Sequence, residues 1–243
     1  MVDETAPARS ILPIERVAAA LEVILCSGFP TQLVVVTVLS TFGFKARLAD
    51  GGLAPAFIFT LTLSDTVLLV GLVFFFLRSH REAPRGALFA QRRVPTEVLL
   101  GIVLIPISFV VVATVLIIIR QIDPALHNVP LNPFAEFART RVAAIMFGLL
   151  VIVAGGVREE IQRGFILHRF EQYLGGGPLG LALFSVVFGL GHVEQGYDVA
   201  VGTAALGALW GAVYLRRRSV VAPMIAHGGF NLAQVANFFF LRT

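Results

Sequence analysis

Long apolar runs, free or nearly free of charge, alternate with short polar connections along the whole chain. Val23–Phe44, Leu100–Ile119, Tyr173–Gly191 and Ser219–Leu241 contain no Asp, Glu, Lys or Arg, and Pro55–Leu77 is interrupted only by Asp65. Val142–Val157 and Val199–Leu215 are shorter and have amphipathic flanks. A helix needs about 20 apolar residues to cross a ~30 Å hydrocarbon core. The pattern therefore predicts an all-α, polytopic transmembrane helix bundle of about seven spans. Between the third and fourth runs, Gln121–Arg141 holds Pro124, Asn128, Pro130, Asn132 and Pro133, which stop a helix. This stretch is expected to be an interfacial loop, with Phe134 and Phe137 on a short surface turn. Repeats, low-complexity tracts and long linkers are absent, so residues 1–243 are expected to form one integral-membrane domain.

Composition and charge narrow the classes. The chain is 57% hydrophobic and 14% charged, against about a quarter charged in soluble domains. Seven helices use nearly all of its residues, so no separate soluble domain is available for a function. Of the 19 Lys and Arg, 13 fall on one side: Arg9, Arg16, Arg78, Arg81, Arg85, Arg92, Arg93, Arg158, Arg163, Arg169 and Arg216–Arg218. Lys45, Arg47, Arg120, Arg139, Arg141 and Arg242 fall on the other. Cytoplasmic loops collect basic residues, which predicts an inside amino terminus. Loop arginines also account for the net charge of +4, so no nucleic-acid partner is expected. The single cysteine, Cys26, excludes an intrachain disulfide and a cysteine-rich metal cage. Met1-Val2-Asp3-Glu4 lacks a basic n-region, so the first span is expected to be retained.

Polar groups in the second half of the chain are out of place in lipid. Gly155-Gly156-Val157-Arg158-Glu159-Glu160-Ile161-Gln162-Arg163 follows the fourth run, Phe188-Gly189-Leu190-Gly191-His192 closes the fifth, and His227-Gly228-Gly229-Phe230-Asn231 lies in the seventh. Spacings of four place Glu159 over Arg163, Phe188 over His192 and His227 over Asn231. Each group has a plain reading: a solvated helix end, an interfacial histidine, interhelical hydrogen bonding. His227 and Asn231 resist it, lying roughly 12 and 18 Å into their run, where unpaired polar groups are costly. Convergence of a carboxylate pair, two histidines, an amide and a guanidinium favours function. Gly207 and Gly211, with Tyr214 beyond them, form a small-residue face expected to pack the sixth span tightly on the seventh.

Hydrolysis of a peptide bond needs an activated water, a proton donor and groups aimed at the developing oxyanion. The set supplies all three, with a glutamate and His192 as the water-activating pair and His227 with Asn231 donating to the carbonyl oxygen. Gly191-His192-Val193-Glu194-Gln195 lacks the His-Glu-x-x-His zinc spacing. Ser27 and Ser185 have no convincing base, and Asp65 stands too isolated to complete an aspartyl dyad with Asp198.

At these positions the chain resembles the CPBP membrane proteases, also called Abi or CAAX-protease-like, which include the type II CAAX prenyl endopeptidases. That family carries Glu-Glu-x-x-x-Arg, Phe-x-x-x-His and His-x-x-x-Asn/Asp/Ser motifs on separate transmembrane helices. Phe188–His192 and His227–Asn231 match the second and third; Glu159-Glu160-Ile161-Gln162-Arg163 is one residue short of the first. Matching the Glu pair gives Glu159 the water-activating role, whereas matching Arg163-Gly164 puts Arg158 where the first Glu belongs; the first register is preferred. The resemblance implies a core over 142–237 in the C-terminal four helices, with Glu159, Glu160, Arg163, His192, His227 and Asn231 as catalytic residues. It also implies a metal-independent glutamate mechanism without cofactor, zinc having been weighed and set aside. The implied substrate is a peptide or protein, prenylated or otherwise membrane-associated, entering from the cytoplasmic side or laterally, and the likeness to bacterial members implies a bacterial cytoplasmic membrane. A proton-coupled transporter and a non-catalytic bacteriocin-immunity-type partner are the alternatives. One count conflicts: from the run starts Glu159 lies ~26 Å from the outer face and His192 ~28 Å from the inner, so the fourth helix must be long or the fifth must begin before the membrane.

Overall fold

The computed structural model describes residues 11–90 and 92–241. Arg9, Arg242 and the Met1–Glu4 segment used above lie outside the described residues. The helices are α1 (Pro13–Leu25), α2 (Phe29–Thr41), α3 (Pro55–Ser79), α4 (Val94–Ile122), α5 (Arg141–Val151), α6 (Glu160–Tyr173), α7 (Gly177–Leu190), α8 (Tyr197–Arg217) and α9 (Val221–Leu241), with π-helical turns over Ile152–Glu159 joining α5 to α6. The all-α bundle is as expected, and its outer face is lipid-compatible, presenting Val67, Phe75, Val110 and Val186.

Span lengths differ from the seven runs. Four helical elements are long and apolar enough to cross a membrane: α3, α4, the joined Arg141–Tyr173 and α8. The bent pair α1–α2 makes a fifth. The first run, Val23–Phe44, is broken because Gly28 takes φ 90 at the start of α2, where only glycine is at ease, and the two helices meet at 44°. The fifth run gives Tyr173 to α6 and its next three residues to a turn through Gly175 and Gly176, at φ 99 and 100. That leaves α7 only 14 residues.

This geometry removes the conflict of depths. Arg141–Tyr173 is a single 33-residue element, so Glu159 sits near its middle, roughly 21 Å back from Tyr173 at 1.5 Å per residue. His192 lies roughly 22 Å beyond the first residue of α7 by the same rise. Both reach one level from the same end of the bundle.

At that end Arg169 binds Glu22 of α1 and Glu82 beyond α3, at 2.6 Å each, and the Tyr214 hydroxyl donates to the Ala87 carbonyl. At the opposite end Asn132 donates to Gln195, Asn128 accepts from the Tyr197 backbone, and Arg120 and His127 hold Asp198. Two expectations are corrected here. Arg158, Arg163 and Arg169 are buried in the helix interior rather than loop charge, so the tally falls to ten against six. The Gly207 and Gly211 face meets Phe188 and Leu181 of α7, not α9, because the large side chains that fill the space over those glycines come from α7. The loop between α4 and α5 also folds inward, its Phe137 ring packing edge-on against Phe147 at 5.5 Å.

Candidate active site

The π-helical turns decide how the two glutamates point. Such turns insert an extra residue into the helical ladder, and they end at Glu159. Glu159 faces a cavity, whereas Glu160 is fully buried at the head of α6. The expected stacking of Glu159 over Arg163 does not occur, since Arg163 pairs with Glu160 three residues before it. Glu159 accepts instead from Arg158 Nη2 at 2.8 Å, while Arg158 Nη1 reaches Asp65 at 2.7 Å.

His227 stands between the glutamates. Its Nδ1 lies 2.7 Å from Glu160 Oε1 and its Nε2 3.8 Å from Glu159 Oε2. Trp210 stacks on the ring at 4.1 Å between centroids, and Phe188 meets it edge-on at 6.1 Å. His192 Nδ1 is 2.7 Å from the Phe188 carbonyl. A carbonyl only accepts, so Nδ1 donates, and in the neutral ring Nε2 is then the acceptor. Arg163 has no exposed surface, and its guanidinium lies 4.8 Å from the Phe188 ring, with Phe184 and Trp210 at 5.2 and 5.6 Å. Those ring faces attract a cation, which holds Arg163 behind Glu160.

Asn231 and His227 can come this close to the Glu159 element because Gly155 has no side chain. A Cβ there would collide with Asn231 Nδ2 and lie 3.1 Å from His227 Nε2. At the next residue, Gly156 faces Gly228, and an added Cβ would sit 3.1 Å from its Cα.

Glu159, His192, His227 and Asn231 thus line one cavity of about 430 Å³, together with Asp65 and Arg158. Glu160 and Arg163 are not among its lining residues and reach it only through His227. Its walls include Phe134, Phe147, Phe188 and Phe230, and Asn132, Glu194 and Gln195 place its mouth at the arginine-poor end. Three lining features escaped the sequence reading: Asp65, dismissed as isolated; Trp210, which lies between the two glycines of the packing face and was given no role; and Phe134, assigned to the surface. A carboxylate in an otherwise charge-free run was the available signal for Asp65. Ser27 and Ser185 are spent on the carbonyls of Ile24 and Leu181. Among the described residues no three His, Cys, Asp or Glu side chains group as a metal site requires.

Residues 141–233 match the family model described as type II CAAX prenyl endopeptidase Rce1-like. This segment is Rce1-like. It starts at the first residue of α5 and includes Glu159, Glu160, Arg163, His192, His227 and Asn231, while Asp65 and α1–α4 lie outside it. The resemblance drawn from the three motifs is thereby upheld over this segment, and the chain is an all-α polytopic bundle with a stretch similar to the type II CAAX prenyl endopeptidases. No curated protein and no solved structure matches the chain.

Proposed function

We propose that this protein is a metal-independent, glutamate-type intramembrane endopeptidase. The observation that carries the reading is the meeting of Glu159, His192, His227 and Asn231, from three separate elements, on one cavity. Glu159 takes a proton from water as its oxygen attacks the scissile carbonyl carbon, with His192 Nε2 accepting a hydrogen bond from the same water. His227 Nε2–H and Asn231 Nδ2–H donate to the carbonyl oxygen as it becomes an oxyanion. That role requires a doubly protonated His227, whose Nδ1–H is directed at Glu160. The proton held by Glu159 then passes to the leaving nitrogen as the C–N bond breaks. Glu160 and Arg163 position His227.

The substrate proposed is a peptide carrying large apolar groups, prenylated or otherwise membrane-anchored, because phenylalanine rings wall the cavity. The ten-to-six distribution of basic residues keeps the amino terminus inside. Cavity entry from the arginine-poor end then means entry from the outer side or laterally, in place of the expected cytoplasmic route.

Purified protein in lipid vesicles tests this with a fluorogenic apolar peptide. Glu159→Gln, His192→Ala and His227→Ala are expected to lower kcat by roughly 10²- to 10⁴-fold, with insertion unchanged and wild-type cleavage insensitive to chelators. Proton flux without any peptide cleavage would overturn the protease reading in favour of a transporter.

A further inference from the structure

The cavity contains a carboxylate that the four proposed reacting groups do not use. Asp65 comes from α3, outside the segment of family likeness. Its side chain is 2% exposed, in a span where a lone charge is expensive. We infer that Asp65 is a positioning residue for this reaction, dividing the Arg158 guanidinium with Glu159 so that the glutamate is oriented by the arginine without being claimed as its sole counterion. This rests on the protease reading above.

The geometry is specific. Arg158 offers one terminal nitrogen to each acid, Nη1 to Asp65 Oδ2 at 2.7 Å and Nη2 to Glu159 Oε1 at 2.8 Å. A guanidinium is planar and its donors are fixed, so seating one edge on Asp65 sets the direction of the other. Glu159 is therefore held through Oε1, and Oε2 is left toward His227 Nε2 at 3.8 Å. Arg158 is itself buried, with side-chain exposure of 9%, and a desolvated arginine with a single carboxylate would form a closed one-to-one pair. With two acids on one guanidinium, negative charge remains for the proton transfer. The charged and titratable groups around Glu159 are Arg158 on its own element, Asp65 on α3, Glu160 and Arg163 on α6, His192 and Glu194 after α7, and His227 on α9. Of these, Asp65 alone bonds Arg158 from outside the Glu159 element.

The device also explains why the first half of the chain is part of the enzyme. Arg158 is buried beside Glu159 with a second terminal nitrogen to satisfy, and an acid from elsewhere in the chain takes it. α3 supplies that acid across 93 residues of sequence.

Steady-state kinetics of the full chain in vesicles test the inference. Asp65→Asn keeps the shape and an acceptor oxygen toward Arg158 while removing the charge. It is expected to lower kcat by about 10- to 100-fold, with KM within about twofold and the thermal midpoint near wild type, and Asp65→Glu is expected to restore part of the rate. Asp65→Asn and Arg158→Gln together should lose little more than Arg158→Gln alone. A wild-type kcat for Asp65→Asn, or a loss fully matched by loss of folded protein, overturns the inference while Glu159→Gln inactivity leaves the protease reading standing. Cleavage that survives Glu159→Gln, or a wild type that cleaves nothing, overturns both.

Discussion

A missing methyl group decides how close the helices of the proposed site can come. At Gly155 the absence of Cβ lets Asn231 and His227 lie directly against the Glu159 element. Gly155→Ala is expected to cost about 1–3 kcal/mol of stability through overpacking, and to lower kcat further than that loss of folded protein explains, since both proposed oxyanion donors must move. Gly71→Ala is the control, because its Cβ would meet nothing within 4 Å. Kinetics and thermal unfolding of the pair check this; equal, small effects would contradict it. At this scale the sequence was informative where a polar residue sat deep in an apolar run, as for His227 and Asn231. It was silent where the partner came from afar. Asp65 looked isolated because Arg158 was itself read as loop charge, and each hid the other's meaning.

The helices show why a motif one residue short of its family pattern still assembles a site. Glu160 and Arg163 pair within regular α6, and the π-helical turns before them swing Glu159 into the cavity. Hydrophobic periodicity does not register an inserted backbone residue, so this phase shift was not legible in the sequence. Nor was the true start of α7, because Tyr173–Gly176 is as uncharged as the helix that follows. At the arginine-rich end of α6, burial of Glu82 raises its pKa, but hydrogen bonds from His168 and Arg169 outweigh it and hold the carboxyl at about 2, against an ordinary 4.5. Its folded-state value is depressed, so the stabilisation is present above about pH 4.5 and is lost as pH falls toward 2. Thermal midpoints measured from pH 6 down to 3 should fall less steeply for Glu82→Gln than for wild type; parallel slopes would contradict the assignment.

Across the whole molecule, the apolar runs made the membrane bundle and its α-helical class readable, because lipid imposes length and charge constraints on every span. Span count was less legible: breaks at Gly28 and Gly175-Gly176 depend on backbone conformation rather than hydropathy. Orientation is open to direct measurement, since Cys26, the single native cysteine, is fully buried. Glu194→Cys at the cavity mouth is expected to react with a membrane-impermeant maleimide in intact cells, and Arg81→Cys only after permeabilisation. The reverse labelling would place the mouth in the cytoplasm.

The central claim is that Glu159 activates water for direct attack on a peptide bond. Single-turnover cleavage in H₂¹⁸O by the reconstituted protein tests it most directly, read by mass spectrometry of the peptide products and of the Glu159-containing fragment. The account predicts one ¹⁸O in the new carboxyl terminus, an unlabelled Glu159 fragment and no product from Glu159→Gln. Label in Glu159, a covalent acyl adduct, or cleavage by Glu159→Gln at the wild-type rate would contradict it.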